Sequence, residues 1–210
     1  GIFSELNKDL SRESAQKLIM GPWGHGQFEA PLIGDLFMGF SATAAALDLE
    51  SLHLRWFDHW LKGKDSGLMD EPPVKIFVMG DNCWREEQEW PLARTIWTDY
   101  YLHSNGNANT RDGDGVLSLK PAPSEEKPNS FAYDPNDPVP SIGGAALSTG
   151  ESGPRNQNSV EMRQDVLVYS TEPLKDDLEI TGPISAVLYA STSARDTDWT
   201  VKLVDVHTDG

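Results

Sequence analysis

The chain has 210 residues, a formal net charge of −16, 18 glycines and 14 prolines. A surface this acidic repels nucleic acid and anionic membranes, so neither kind of partner is expected. No apolar run reaches the roughly 18–20 residues that a membrane-spanning helix needs. The single cysteine, Cys83, can form no internal disulfide and excludes a cysteine-based zinc site, while the cellular compartment stays open. The many glycines and prolines predict a turn-rich, mainly β fold.

The N-terminal third is predicted to contain a strand and two helices. Residues 4–16 are mostly polar and are predicted to form a helix, and the apolar run 18–20 is predicted to form a strand. Alanines between Ser41 and Lys62 favour a second helix. Its apolar residues recur at helical spacing and form a wide arc, which should pack against a large surface. Gly63 is expected to end this helix.

The remainder of the sequence is predicted to be built from short strands. Gly67 and the pair Pro72-Pro73 predict a linker over residues 65–73. No helical pattern interrupts the chain after it. The β-type runs are 74–79, 95–102, 116–119, 166–169, 184–190 and 199–206. Alternation of apolar and polar residues in the last run indicates antiparallel sheets and a sandwich. The proline-rich stretch 121–158 is long enough to wrap a neighbouring part of the protein or to serve a function.

The motif Gly21-Pro22-Trp23-Gly24-His25 directly follows the first predicted strand. A histidine that leaves the carboxyl end of a strand in an α/β sheet is a common position for a general base. The sequence offers it no nucleophile elbow, however. In Gly150-Glu151-Ser152-Gly153, Pro154 stands where the elbow needs glycine. His25 is therefore a candidate base without a nucleophile among these residues.

The other histidines are weaker candidates. His53 and His59 lie on the second predicted helix beside Asp58, but a spacing of six residues does not suit a metal pair. They are interpreted as core or surface residues. His103 and His207 are expected in turns.

Two further patterns admit a binding interpretation. Asp112-Gly113-Asp114-Gly115 suggests a calcium loop, but no glutamate closes it, so a hairpin turn is expected. The residues Asp196-Thr197-Asp198 are expected to begin a strand rather than to bind a cation. Four tryptophans could line a carbohydrate-binding face, although their spread over separate strands favours packing. They are Trp84, Trp90, Trp97 and Trp199.

Four segments, in order, resemble the CocE/NonD family of serine hydrolases, relatives of the X-Pro dipeptidyl-peptidases, cocaine esterase and α-amino-acid ester hydrolases. They are residues 18–25, 54–63, 73–80 with Trp84, and 196–206. In that family an α/β-hydrolase domain precedes a jelly-roll β-sandwich. The resemblance implies that residues 1–67 are the C-terminal part of the hydrolase domain. It implies that residues 72–210 begin an antiparallel, jelly-roll-like sandwich, which is incomplete here.

The resemblance places the family's catalytic histidine at His25. It implies that the nucleophilic serine of a Gly-x-Ser-Tyr-x-Gly elbow, the acid and the oxyanion-hole tyrosine precede Gly1. The substrate would be a small ester or amide or an X-Pro peptide, with no cofactor and no metal, and homo-oligomerisation stays open. With only the histidine of its triad, the 210-residue chain is predicted to be inactive alone. The alternative is a non-catalytic β-sandwich module that binds carbohydrate or mediates assembly.

Overall fold

The computed structural model describes residues 2–6, 16–147 and 151–207. The chain divides into two compact units, the first formed by Gly1–Ile96 with Val139–Asn156 and the second by Trp97–Pro138 with Gln157–Gly210. The described residues form seven strands and three α-helices, which confirms the mainly β character. None of the described helices is long and apolar enough to cross a membrane.

A three-stranded sheet organises the first unit. Strand β1 (Leu18–Met20) pairs in parallel with β4 (Val74–Val78), and β4 pairs antiparallel with β5 (Cys83–Glu87). The strands predicted at 18–20 and 74–79 are thus confirmed. The central strand β4 is apolar and largely buried, as expected for a strand with neighbours on both edges. The sheet joins residues on both sides of the predicted boundary at 67–72, and the division into two domains there stays a prediction.

A small hairpin completes the core of the first unit. Strands β2 (Leu32–Ile33) and β3 (Leu36–Phe37) pair antiparallel. Ile33 and Met38 are almost fully buried and pack with Phe77 of β4 and with Ala42. This cluster ties the hairpin to the sheet, with Ala30 and Trp84 packed against it.

The main helix is shorter than its sequence pattern predicts. Helix α2 spans Leu49–Lys62 and is preceded by a 3₁₀ turn at Phe40–Ala42. Asp48 caps its N-terminus by accepting a hydrogen bond from the Ser51 amide, and Gly63 ends it in the left-handed conformation, as predicted. The helix starts late because the alanines before Asp48 are held in turns. For example, the amide of Ala44 donates a hydrogen bond to the carbonyl oxygen of Phe28 at 2.7 Å.

The pattern predicts that the apolar arc of α2 packs against a large surface, but the arc is exposed. None of its residues is buried among the described parts of the chain. Leu54, Phe57 and Leu61 keep 67%, 53% and 76% of their surface exposed. The short helix α1 (Ile2–Leu6) covers the start of the helix predicted over 4–16, and residues 7–15 lie outside the described residues.

The segment predicted as a linker is anchored to the first unit. Leu68 begins a 3₁₀ turn, Leu68–Asp70, and only 2% of its surface is exposed. Arg55 of α2 donates to the Ser66 carbonyl and to the Glu71 carboxylate. The segment is therefore held against the first unit by Leu68 and Arg55, and its interpretation as an interdomain linker stays a prediction.

The second unit contains fewer strands than predicted. Strands β6 (Tyr101–His103) and β7 (Val116–Ser118) pair antiparallel. The run 166–169 contributes an isolated bridge at Leu167. A four-residue helix, α3 (Asn158–Glu161), lies in a part of the chain where no helix was predicted.

Two predicted strands are absent from the second unit. Within the described residues, the runs 184–190 and 199–206 pair with no other strand, and their side chains are exposed. Alternation of apolar and polar residues sets which face each side chain takes, but a strand also needs a neighbour to bond its backbone groups. The prediction of strands at these positions was wrong, and no second sheet packs there.

Candidate functional site

The motif that follows β1 forms a compact turn whose glycines are required by their neighbours. A Cβ added to Gly21 would lie 2.5 Å from Cδ2 of Trp23. A Cβ added to Gly24 would lie 2.2 Å from Oε1 of Gln27 and 2.3 Å from Oγ of Ser152. Real Cβ atoms do not approach other atoms so closely. Glycine at both positions lets the chain fold tightly against these three side chains.

Trp23 anchors this turn to the core of the first unit. Its indole nitrogen donates to the Ala42 carbonyl at 2.6 Å. Its ring lies 5.5 Å from that of Phe28 and 5.6 Å from that of Trp84, centroid to centroid. Trp84 packs in turn edge-to-face on Phe77. Aromatic contacts of this kind have a preferred geometry, so they fix orientation as well as burying apolar area.

His25 lies at the exposed tip of this anchored turn. The Gln27 amide donates to the Gly24 carbonyl at 3.1 Å, which closes the turn around His25. The side chain of His25 is exposed and has no hydrogen bond or ion pair to any described residue. An exposed imidazole on a rigid support can exchange protons with a group brought to it. No carboxylate among the described residues orients the ring.

A distant stretch of the chain, residues 151–156, packs under the His25 turn. Ser152 is 1% exposed, and its hydroxyl donates to Oε1 of Gln27 at 2.8 Å. The sequence alone gave no signal for this contact, because Ser152 and Gln27 are 125 positions apart. The proline-rich stretch 121–158 thus returns to the first unit, in line with the expectation that it wraps a neighbouring part.

The same segment is held at its C-terminal side by Asp35. The Asp35 amide donates to the Pro154 carbonyl at 2.8 Å. The Asp35 carboxylate accepts from the Asn156 amide at 2.9 Å and from Arg155 at 2.6 Å. These two bonds, the Asn156 amide first, hold the pKa of Asp35 below its usual value. The segment is therefore pinned to the turn of the β2–β3 hairpin.

Of the two histidines of α2, His59 makes a structural contact. Nδ1 of His59 lies 3.2 Å from the Lys64 carbonyl, at the end of the helix. Asp58 pairs with Lys62 and Lys64, and the hydrogen bond from Lys62, then that from Lys64, holds its pKa below the usual value. His53 is exposed. Within the described part of the chain, no group of three or more His, Cys, Asp or Glu side chains could hold a metal ion.

The expectation that His103 is a turn residue was wrong. It ends strand β6, its Nδ1 lies 3.1 Å from the Glu126 carboxylate, and its Nε2 lies 2.7 Å from the Lys120 carbonyl. His207, by contrast, is exposed outside any strand or helix, with Asp205 3.9 Å away.

The Asp112–Gly115 pattern does form turns, within the longer connection 104–115 between β6 and β7. Asp114 accepts hydrogen bonds from the amides of Asn105 and Asn107 at 3.0 and 3.2 Å. Its carboxylate oxygens thus close the loop from within. Asp196 and Asp198, expected to begin a strand, lie in exposed chain without strand pairing among the described residues.

The tryptophans do not favour a carbohydrate-binding face. Trp84 packs on Trp23 and Phe77 in the first unit, and its indole donates to the Ser41 carbonyl at 2.8 Å. Trp199 packs edge-to-face on Phe131 in the second unit. Packing was the favoured interpretation for these two residues, and their contacts confirm it. Trp97 is 68% exposed.

Comparison with known proteins shows that this chain is similar to part of several hydrolases. The family model of the X-Pro dipeptidyl-peptidase C-terminal non-catalytic domain matches residues 66–210. Cocaine esterase of Rhodococcus sp. (strain MB1 Bresler) is 44% identical over 195 residues, which are 92% of this chain and 34% of that protein. A Mycobacterium bovis protein provisionally named a serine esterase is 29% identical over 202 residues, which cover 90% of this chain and 28% of the length of that protein.

A solved structure is also similar to part of this chain. The crystal structure of an aminopeptidase from the marine sediment archaeon Thaumarchaeota archaeon matches with a TM-score of 0.52 and 28% identity. The match covers 77% of this chain and 25% of that one. The chain thus spans about a third or less of the length of each of these relatives.

Proposed function

This chain belongs to the CocE/NonD family of hydrolases and carries its X-Pro dipeptidyl-peptidase C-terminal non-catalytic domain, and we propose that it is part of a serine hydrolase that cleaves ester or amide bonds. The observation that carries the proposal is His25, an exposed imidazole on a turn fixed by Trp23 and by two required glycines. The 44% identity to an esterase supports the same chemistry.

In the proposed reaction His25 is the general base. Its ring nitrogen takes the proton from a serine hydroxyl as the serine oxygen attacks the carbonyl carbon of the substrate. The protonated imidazole then gives that proton to the leaving alcohol or amine, and an acyl-enzyme forms. Water then attacks the acyl carbon while the same imidazole takes its proton. The bond from the acyl carbon to the serine oxygen breaks, the proton passes to that oxygen, and the acid is released.

The remaining members of the triad are proposed to lie outside residues 1–210. The serine would sit in a Gly-x-Ser-Tyr-x-Gly elbow and the acid would orient the free ring nitrogen of His25. Ser152 does not suit the role of nucleophile, since it is 1% exposed and already donates its hydroxyl hydrogen to Gln27. The isolated chain is therefore expected to be inactive, because losing a triad member costs about 10⁴–10⁶ in rate.

Residues 1–67 are proposed to complete an α/β-hydrolase domain. Residues 72–210 are proposed to belong to a jelly-roll sandwich, in which the runs 184–190 and 199–206 would take strand partners from outside residues 1–210. The match over residues 66–210 and the β4–β5 and β6–β7 pairings support the second part. The substrate would be a small ester or amide, or a peptide with an X-Pro bond.

A substitution at His25 tests the proposal in the whole protein that carries this chain. His25→Ala should lower kcat/KM for p-nitrophenyl acetate by about 10³-fold or more, because the serine loses its base. His53→Ala is the matched control, since His53 is also exposed in the first unit but lies on α2. It should leave the rate unchanged. Full activity in the His25→Ala protein would overturn the proposal.

A further inference from the structure

Ser152 is the one buried side chain of the 151–156 segment, and it touches both ends of the turn that carries His25. Its hydroxyl donates to Oε1 of Gln27, two residues after His25. The same oxygen would lie only 2.3 Å from a Cβ atom added to Gly24, the residue before His25. A single atom, Oγ of Ser152, thus limits the movement of the turn on both sides of the imidazole.

The segment that carries Ser152 is itself fixed, so it can serve as a support. Gly153 exchanges two backbone hydrogen bonds with Gly144, at 2.8 and 2.9 Å. Asp35, in the turn between β2 and β3, donates its amide hydrogen to the Pro154 carbonyl and accepts a hydrogen bond from the Arg155 side chain. The segment also lies so close to the β2–β3 turn that a Cβ added to Gly34 would lie 2.0 Å from the Pro154 carbonyl oxygen. Movement of Ser152 would require several of these bonds to break together.

We infer that Ser152 is a positioning residue for the catalytic base, acting through Gln27 and Gly24 to hold His25 in line with the serine it deprotonates. The inference rests on the proposed function. Misplacing a reacting group by about 1 Å can cost up to ~10²-fold in rate, while the binding of substrate is unaffected. Removing Ser152 should therefore lower kcat and leave KM almost unchanged.

The variants Ser152→Ala and Gln27→Met test this in the whole protein, with p-nitrophenyl acetate as substrate. The first removes the donor and the second removes the acceptor at nearly constant volume. Each should lower kcat by about tenfold or more with KM within about twofold. The double variant should be no slower than either single variant, since both remove the same bond.

Ser66→Ala is the matched control. It makes the same chemical change in the first unit, at a buried hydroxyl that has no hydrogen-bond partner among the described residues. Its kcat should equal that of the unsubstituted protein. A role in stability alone would lower the melting temperature of Ser152→Ala and Gln27→Met without changing kcat well below that temperature, and this result would overturn the inference.

A second readout does not depend on activity. In the whole protein, Ser152→Ala should speed hydrogen exchange of the Gln27 amide, which closes the turn, and leave the amides of β4 protected. Unchanged exchange at Gln27 would overturn the positioning role. If His25→Ala abolishes turnover while Ser152→Ala and Gln27→Met do not slow it, the inference fails and the proposed function stands. If His25→Ala is fully active, the proposed function fails, and the catalytic role of Ser152 fails with it.

Discussion

Gly24 occupies the most crowded residue position in the His25 turn. An alanine there would bring its Cβ within 2.2 Å of Oε1 of Gln27 and 2.3 Å of Oγ of Ser152. Gln27 could swing away, but Ser152 is buried and bonded. Crowding of this kind, and not backbone strain, makes glycine necessary at this position.

Gly24→Ala is therefore expected to destabilise the first unit by about 1–3 kcal/mol, the usual range for overpacking a tight site. Chemical denaturation of the 210-residue chain, followed by tryptophan fluorescence, measures the loss. Adding Gln27→Ala removes one of the two clashes and should recover part of the stability. Equal stability of Gly24→Ala and the unsubstituted chain would show that the turn is looser than described.

The sequence predicted the residues of this site unevenly. The position of His25 after strand β1 could be predicted from a local motif, as could the Gly63 cap of α2, while the catalytic role of His25 stays a prediction. Ser152 could be recognised only as a failed nucleophile elbow. Its contact with Gln27 spans 125 positions, and no short-range pattern encodes which two loops will meet.

At the scale of elements, strand β5 is held by an ion cluster at its end. Glu87 has an 8% exposed side chain and accepts a hydrogen bond from Arg85 at 2.7 Å. Arg94 donates to its other oxygen at 2.7 Å. These bonds, that from Arg94 first, hold the pKa of Glu87 below its ordinary value despite the opposing effect of burial.

A carboxylate with a lowered pKa stabilises the fold at neutral pH and loses that effect on acidification. The stabilisation is present above the ordinary value of 4.5 and disappears as the pH falls through the lower value in the folded state. Glu87→Gln should thus cost roughly 1 kcal/mol at pH 7, after allowing for the exposed Arg94 side chain. The difference should shrink as the pH is lowered to about 3.

Glu86→Gln is the matched control for this measurement. Glu86 is the neighbouring residue, pairs with Lys75 at 2.9 Å and has a 51% exposed side chain. Exposed pairs contribute little, so its loss should change stability by less than ~0.5 kcal/mol at any pH. Urea unfolding at several pH values separates the two variants. A pH-independent cost for Glu87→Gln would rule out the ionic explanation.

The elements themselves were predictable where local signals agreed. Strands β1 and β4 follow from their apolar runs, and α2 ends where Gly63 predicted. The predicted start of α2, at Ser41, lies eight positions before the observed start. The helix propensity of the alanines in this stretch is a weak preference, and turn hydrogen bonds such as that from the Ala44 amide to the Phe28 carbonyl outweigh it. The runs 184–190 and 199–206 alternate correctly, yet they form no ladder within the described residues.

At the scale of the whole molecule, the mainly β class followed from composition and the family from four ordered segments. The sandwich did not follow, because strand pairing depends on long-range neighbours that periodicity does not specify. The exposed apolar residues of α2 show the same limit, since amphipathicity indicates a buried face without indicating what buries it.

His25 is proposed to activate a serine located outside residues 1–210. A fluorophosphonate probe, which forms a covalent bond with an activated serine, tests it directly when the labelled peptide is mapped by mass spectrometry. In the whole protein the label should fall on a Gly-x-Ser-Tyr-x-Gly peptide, and His25→Ala should slow labelling by about 10³-fold or more. The 210-residue chain should stay unlabelled. Labelling of Ser152, or of any other serine within this chain, would contradict the account.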